Sequence, residues 1–96
     1  MDVGSVWKEY FRKWPAEMER RGVIVTSGNE QIPFDGFAVG PELLLLERKI
    51  PDTSGARKIV LPYGQIAAVK ITDVVKMKAF QALGFEEPAA KRPGTA

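Results

Sequence analysis

Two periodicities divide this chain. Val6, Trp7, Tyr10, Phe11 and Trp14 recur at the spacing of one helix face, with Lys8, Glu9, Arg12 and Lys13 opposite. The pattern predicts an amphipathic helix over Asp2 to Lys13, with Ser5 as its N-cap, closed by Trp14-Pro15 because proline disfavours helical geometry at the residue before it. Pro15 to Arg21 reads as a short turn, and Gly22 as the point where the backbone reverses into the first strand. From Gly22 to Asp73 the period shortens to that of strands.

Val23 to Thr26 is β-branched throughout, and Ser27-Gly28-Asn29-Glu30 favours a tight turn before a second strand from Gln31. Ile32, Phe34 and Ala38 are expected on one face of that strand, Gly36 at a bulge or sharp bend, and Pro33 at an edge. Gly40-Pro41 turns the chain into Leu43 to Leu46, an apolar run of strand length that reads as buried on both faces. Pro51 to Gly55 is a further turn. A fourth strand spans Arg57 to Leu61, and Pro62-Tyr63-Gly64 connects it to a fifth over Gln65 to Thr72. After Asp73, a good N-cap, Val74, Met77, Phe80 and Leu83 recur every third residue up to Gly84. A short helix or a continued strand both fit that segment. Residues 86–96, with Pro88 and Pro93 and little to bury, read as a disordered tail, leaving residues 1–85 as one domain.

Composition narrows the chemistry. With neither cysteine nor histidine the chain has no disulfide, thiol nucleophile or imidazole base, and most zinc chemistry is excluded. The carboxylates Glu30, Asp35, Glu42, Glu47 and Asp52 are explained by turns, so no catalytic, metal or cofactor site is expected. Fourteen basic against twelve acidic residues leave a formal +2, too little for whole-molecule attraction to nucleic acid, so any such surface must be local. No segment is apolar enough to span a bilayer, and the start carries no secretory pattern. The expectation is a cytoplasmic protein with no membrane partner.

A helix followed by a strand opening at Gly22-Val23, a bent second strand and a compact last pair resembles the Sm-like family over about Val6 to Thr72. In that family a glycine in the bent strand is followed six residues later by an acid at a turn and then by an apolar strand. Gly36, Glu42 and Leu43 to Leu46 keep that order. The resemblance implies an all-β fold: a five-stranded Sm-like or SH3-like small barrel with an N-terminal helix and a short C-terminal helix. It also implies a homo-oligomer, of which a ring is one form, in which the fourth strand of one subunit pairs with the fifth of the next. Lys58, Val60, Ala67 and Val69 would lie on those edge strands. RNA is the partner the family implies.

The family's base-reading residues are not repeated. Leu46 stands where one branch has its asparagine, and Pro62-Tyr63-Gly64-Gln65-Ile66 lacks the lysine and histidine of the bacterial branch and the arginine-glycine pair of the other. The RNA contacts this leaves are phosphate contacts from Lys8, Arg12, Lys13, Arg20 and Arg21, with Tyr63 stacking on a base. The bland readings are a solvated helix face and an ordinary turn tyrosine. Lys49, Arg57 and Lys58 form a weaker cluster that also suits a hairpin tip, and Lys91-Arg92 adds two charges in the tail. The competing expectation is a protein-interaction scaffold that kept the barrel and lost the nucleic-acid site, binding through strand edges or the neighbourhood of Leu43 to Leu46.

Overall fold

The computed structural model describes residues 2–86. The expected tail, with Lys91-Arg92, lies outside the described residues except for Glu86, which is exposed. Helix α1 spans Val3–Arg12 and is capped three residues earlier than expected: extended Asp2, not Ser5, is the N-cap, and its carboxylate accepts the Ser5 N–H at 2.7 Å. Asp and Ser are comparable caps, and here the aspartate satisfies one of the helix's free amides while Ser5 lies inside the first turn. The helix ends at Lys13, before Pro15.

Six strands follow among the described residues: β1 (Gly22–Thr26), β2 (Gln31–Phe34), β3 (Gly36–Val39), β4 (Leu43–Glu47), β5 (Lys58–Pro62) and β6 (Ile66–Lys70). They form two antiparallel three-stranded sheets, ordered β2-β1-β6 and β3-β4-β5. The expected second strand is thus two segments divided at Asp35, whose N–H donates to the Glu47 carbonyl at 2.7 Å. That break resets the alternation of side chains. Ile32 and Phe34 point inward as expected, but Phe37 rather than Ala38 is buried beyond it. Pro33 does sit on an outer strand, where its missing N–H costs no ladder bond.

Gly22 is required for proximity rather than for reversal. A Cβ there would stand 2.5 Å from the Lys70 carbonyl oxygen, so β1 and β6 close together only over a bare backbone. Gly40 has the same role in its turn, where a Cβ would meet the Leu43 carbonyl at 2.6 Å. In the β1–β2 turn the left-handed residue is Asn29, at φ 67°.

The core lies between the sheets and α1. Phe11, Trp14, Phe34 and Phe37 form its aromatic centre. Phe11 and Trp14 are stacked at 5.7 Å, and Phe37 meets each of them edge-on at 5.0 Å. Ile24, Leu44, Leu46 and Ile66 complete it. The run Leu43 to Leu46 is buried on one face only. Leu44 and Leu46 are inside, Leu45 is half-buried and Leu43 is exposed, because nothing among the described residues covers the outer side of β4. On that side Ala38, Leu45 and Val60 make one cross-strand row, with Leu43 opposite Pro62 beside it.

Beyond β6 the described residues form neither an α-helix nor further strand. A 3-10 helix spans Met77–Leu83 and is stopped by Gly84 at φ 94°. A repeat every third residue is the period of that helix, and the three-residue spacing of Met77, Phe80 and Leu83 is explained by it. Asp73 does not cap it: the N-cap is Lys76, and the Asp73 carboxylate is engaged elsewhere.

Candidate nucleic-acid interface

The six residues expected to meet RNA come from three places in the fold. Lys8, Arg12 and Lys13 project from α1, Arg20 and Arg21 from the turn before β1, and Tyr63 from the 3-10 turn Tyr63–Gln65 between β5 and β6. Arg12 and Lys13 both approach Glu9, at 3.8 Å each, and remain exposed. One carboxylate shared by two exposed cations leaves most of their charge available to solvent or to an anion. Both also stand at the C-terminal end of α1, where positive charge offsets the helix dipole. Lys8 has no ion pair among the described residues.

Arg20 and Arg21 are neighbours in sequence but face different groups. The Arg20 guanidinium lies over the Phe37 ring, 4.7 Å from its centroid, and one N–H donates to the Phe37 carbonyl at 3.3 Å. Arg21 donates from Nε at 2.8 Å and from Nη2 at 2.5 Å to the same Asp73 oxygen. That carboxylate holds the Arg21 pKa above its ordinary value, first through the hydrogen bond and then through its charge. The aspartate side chain is only 16% exposed, whereas that of Arg21 is about half open. The sequence reading missed Asp73 as a partner. Its position after a strand, facing a basic turn 52 residues upstream, carries no local signal.

Tyr63 is not available for stacking. It is 4% exposed, and its hydroxyl donates to the Gly40 carbonyl at 2.7 Å, tying the turn after β5 to the turn after β3. Burial raises its pKa, as it does that of Tyr10 on α1. The expected base contact by Tyr63 is therefore corrected: the ring is a core element. A sheltered phenol must place its hydroxyl on an acceptor, and a glycine carbonyl in a bare turn is an accessible one. Leu46, in the position where the family's asparagine would be expected, is likewise fully buried.

In the second basic cluster, Lys58 has a carboxylate partner. Lys58 pairs with Glu47 at 3.4 Å, directly across the β4–β5 ladder. Asp52 is consumed by its own turn, accepting from the N–H groups of Ser54 and Ala56 and from the Ser54 hydroxyl. These bonds hold its pKa below the ordinary carboxylate value, with Ser54 the leading cause. Asp35 accepts the Lys49 N–H at 2.9 Å. Among the described residues no group of three acidic side chains converges to hold a metal ion.

The proposed assembly residues fall on β5 and β6, each an outer strand of its sheet. Lys58 and Val60 are exposed on β5, Val60 by 57%. On β6, Ala67 is exposed at a register shift in the β1–β6 ladder, whereas Val69 pairs with buried Ile24 and turns toward the core. No ladder joins β5 to β6 among the described residues. No helix among the described residues is long and apolar enough to cross a membrane. Compared with protein-family models, with curated proteins and with solved structures, the chain matches none.

Proposed function

We propose that this chain is a divergent Sm-like small barrel that associates with copies of itself through β5 and β6 and contacts RNA at phosphates rather than at bases. The observation that supports it most is the strand order. Because β2 and β3 are separated by Asp35 alone, the chain passes directly from one sheet into the other, and β6 and β5 each have one side without a ladder partner among the described residues. Two unpaired edges are costly for a solitary molecule and complementary between copies. Phosphate contact falls to Lys8, Arg12, Lys13, Arg20 and Arg21, all on α1 or the turn that follows it. With Tyr63 and Leu46 buried, no base-specific contact remains among the residues considered. The reading needs no catalytic group or cofactor and suits a cytoplasmic protein.

Multi-angle light scattering tests the assembly: a mass that is a multiple of 10.6 kDa is expected, and a monomer at every concentration refutes it. Fluorescence anisotropy with short U-rich and A-rich RNAs tests the ligand. Similar affinity for both and a steep loss with salt are expected, and no binding at low salt refutes it.

A second reading, a protein-binding scaffold, is favoured by one feature: the outer apolar row of exposed Ala38, half-buried Leu45 and exposed Val60, with Leu43 and Pro62 beside it. Partners retained on an immobilised chain after nuclease treatment, and lost on Val60→Lys, would select it over the first.

A further inference from the structure

The segment from Ile71 to Glu86 is joined to the rest of the fold by unusually few polar contacts. Its backbone N–H groups at Ala79, Gly84 and Phe85 donate to carbonyls of Lys76, Gln81 and Phe80, all within the segment. Among the described residues its one side-chain hydrogen-bond partner elsewhere is Arg21, through Asp73. Its apolar anchorage is small: Ala79 is buried, Ile71 at its root, Val75 and Phe80 pack half-buried against the core, and Val74 and Met77 face solvent. A cleft of about 380 Å³ lined by Glu17, Asp73, Val75 and Lys76 separates it from the turn before β1. A segment with so few buried contacts and no ladder opens at a lower free energy than the sheets do.

We propose that residues 71–86 are a strap held shut by the Arg21–Asp73 clasp, and that RNA phosphate opens the strap by taking Arg21 from Asp73. The second half rests on the RNA-binding reading above, whereas the clasp stands without it. The guanidinium spends two donors on a single carboxylate oxygen, and its fork fits a phosphate equally well. The direct exchange of one anion for another is close to balanced. A polyanion tips it by engaging Lys8, Arg12 and Lys13 at the same time and releasing counterions. Glu19 and Asp35 also lie in the field of Arg21 and remain beside it after Asp73 has left; Glu17 lines the cleft from the turn before β1, and Lys76 and Lys78 line it from the strap. Asp73 is thereby an autoinhibitory group, and linkage requires that strap opening and phosphate affinity strengthen each other by one common factor.

Hydrogen exchange with mass spectrometry on the full chain tests both halves. Asp73→Asn should speed exchange of the Met77–Leu83 amides about fivefold and leave those of β1 unchanged. The charge swap Arg21→Asp with Asp73→Arg should restore protection. Adding a short U-rich RNA to the native chain should speed the same amides, and Asp73→Asn should bind that RNA about fivefold more tightly. Unchanged exchange in Asp73→Asn overturns the clasp. RNA that binds while the strap stays protected overturns the gate and leaves RNA binding intact. No RNA bound by either protein at low salt overturns the gate together with the RNA reading, and the exchange of Asp73→Asn still judges the clasp.

Discussion

Removing the Tyr63 hydroxyl and then its ring separates a structural tyrosine from an RNA-stacking one. The ring is 4% exposed and the hydroxyl donates at 2.7 Å to the Gly40 carbonyl. Tyr63→Phe keeps the ring and deletes that bond. A neutral hydrogen bond contributes about 1 kcal/mol net, with more lost when the orphaned acceptor is sealed from water. Gly40 is half-buried, so water can replace part of the contact, and about 1 kcal/mol is expected. For a domain of this size that lowers the melting midpoint by roughly 4–8 °C. Tyr63→Ala removes the ring as well. Burial of roughly 200 Å² at about 25 cal/mol per Å² sets an upper bound near 5 kcal/mol, and truncation of a buried aromatic costs about 3–5 kcal/mol. The assay is urea and thermal denaturation at one fixed protein concentration, since assembly makes the midpoint concentration-dependent. RNA anisotropy is measured alongside at a temperature where the variants are folded. Tyr63→Phe should lose stability and keep its RNA affinity. A Tyr63→Ala protein that melts like the native chain but binds RNA more weakly would refute the core assignment.

Other perturbations probe the remaining features. Leu46→Asn, which introduces the family's polar residue, should destabilise by about 3–5 kcal/mol in urea, because an amide replaces a fully buried leucine side chain, and it should create no preference among RNA bases. Gly22→Ala places a methyl 2.5 Å from the Lys70 carbonyl and should cost about 1–3 kcal/mol, with faster amide exchange along β1 and β6. Acid should loosen the 52–56 turn. The folded pKa of Asp52 is depressed, so its contribution is complete above the ordinary carboxylate range and is lost as pH falls through the lower folded value. NMR shifts of Ser54 and Ala56 should therefore change below about pH 4, and Asp52→Asn should abolish that titration.

The elements that local chemistry dictates were legible in the chain, and those that depend on distant partners were not. β1 follows from Val23 to Thr26, its turn from Ser27 to Asn29, and the β4–β5 connection from Pro51 to Gly55, since β-branching and turn chemistry act within a few residues. Alternation, however, counts only within an unbroken strand. Asp35 interrupts it, so Ala38 was assigned the inward face that Phe37 occupies. Four leucines in a row carry no phase at all, and the burial of Leu44 and Leu46 alone is set by what lies across the sheet. Placing the cap at Asp2 rather than Ser5 moves the helix start by less than a turn. At the candidate interface the cations could be named from sequence but their partners could not: Arg20 meets Phe37, Arg21 meets Asp73, and Tyr63 meets Gly40, each across many residues.

The β1–β6 ladder pairs Val23 with Lys70, near the two ends of the strand-bearing region, whereas β3 pairs with β4 and β4 with β5, each its immediate successor. Contact order therefore orders the folding events: the local meander can form while the long loop is still open, and β1 meets β6 only after that loop has closed. Until then the sheet begun by β1 and β2 lacks its third strand, and the core lacks Ile66. Gly22, which admits the β6 backbone, thus stands at the last seam to close. A defect there would slow the search for the native state and lengthen the life of a half-built, adhesive chain, a hazard set by kinetics rather than by the stability of the finished fold.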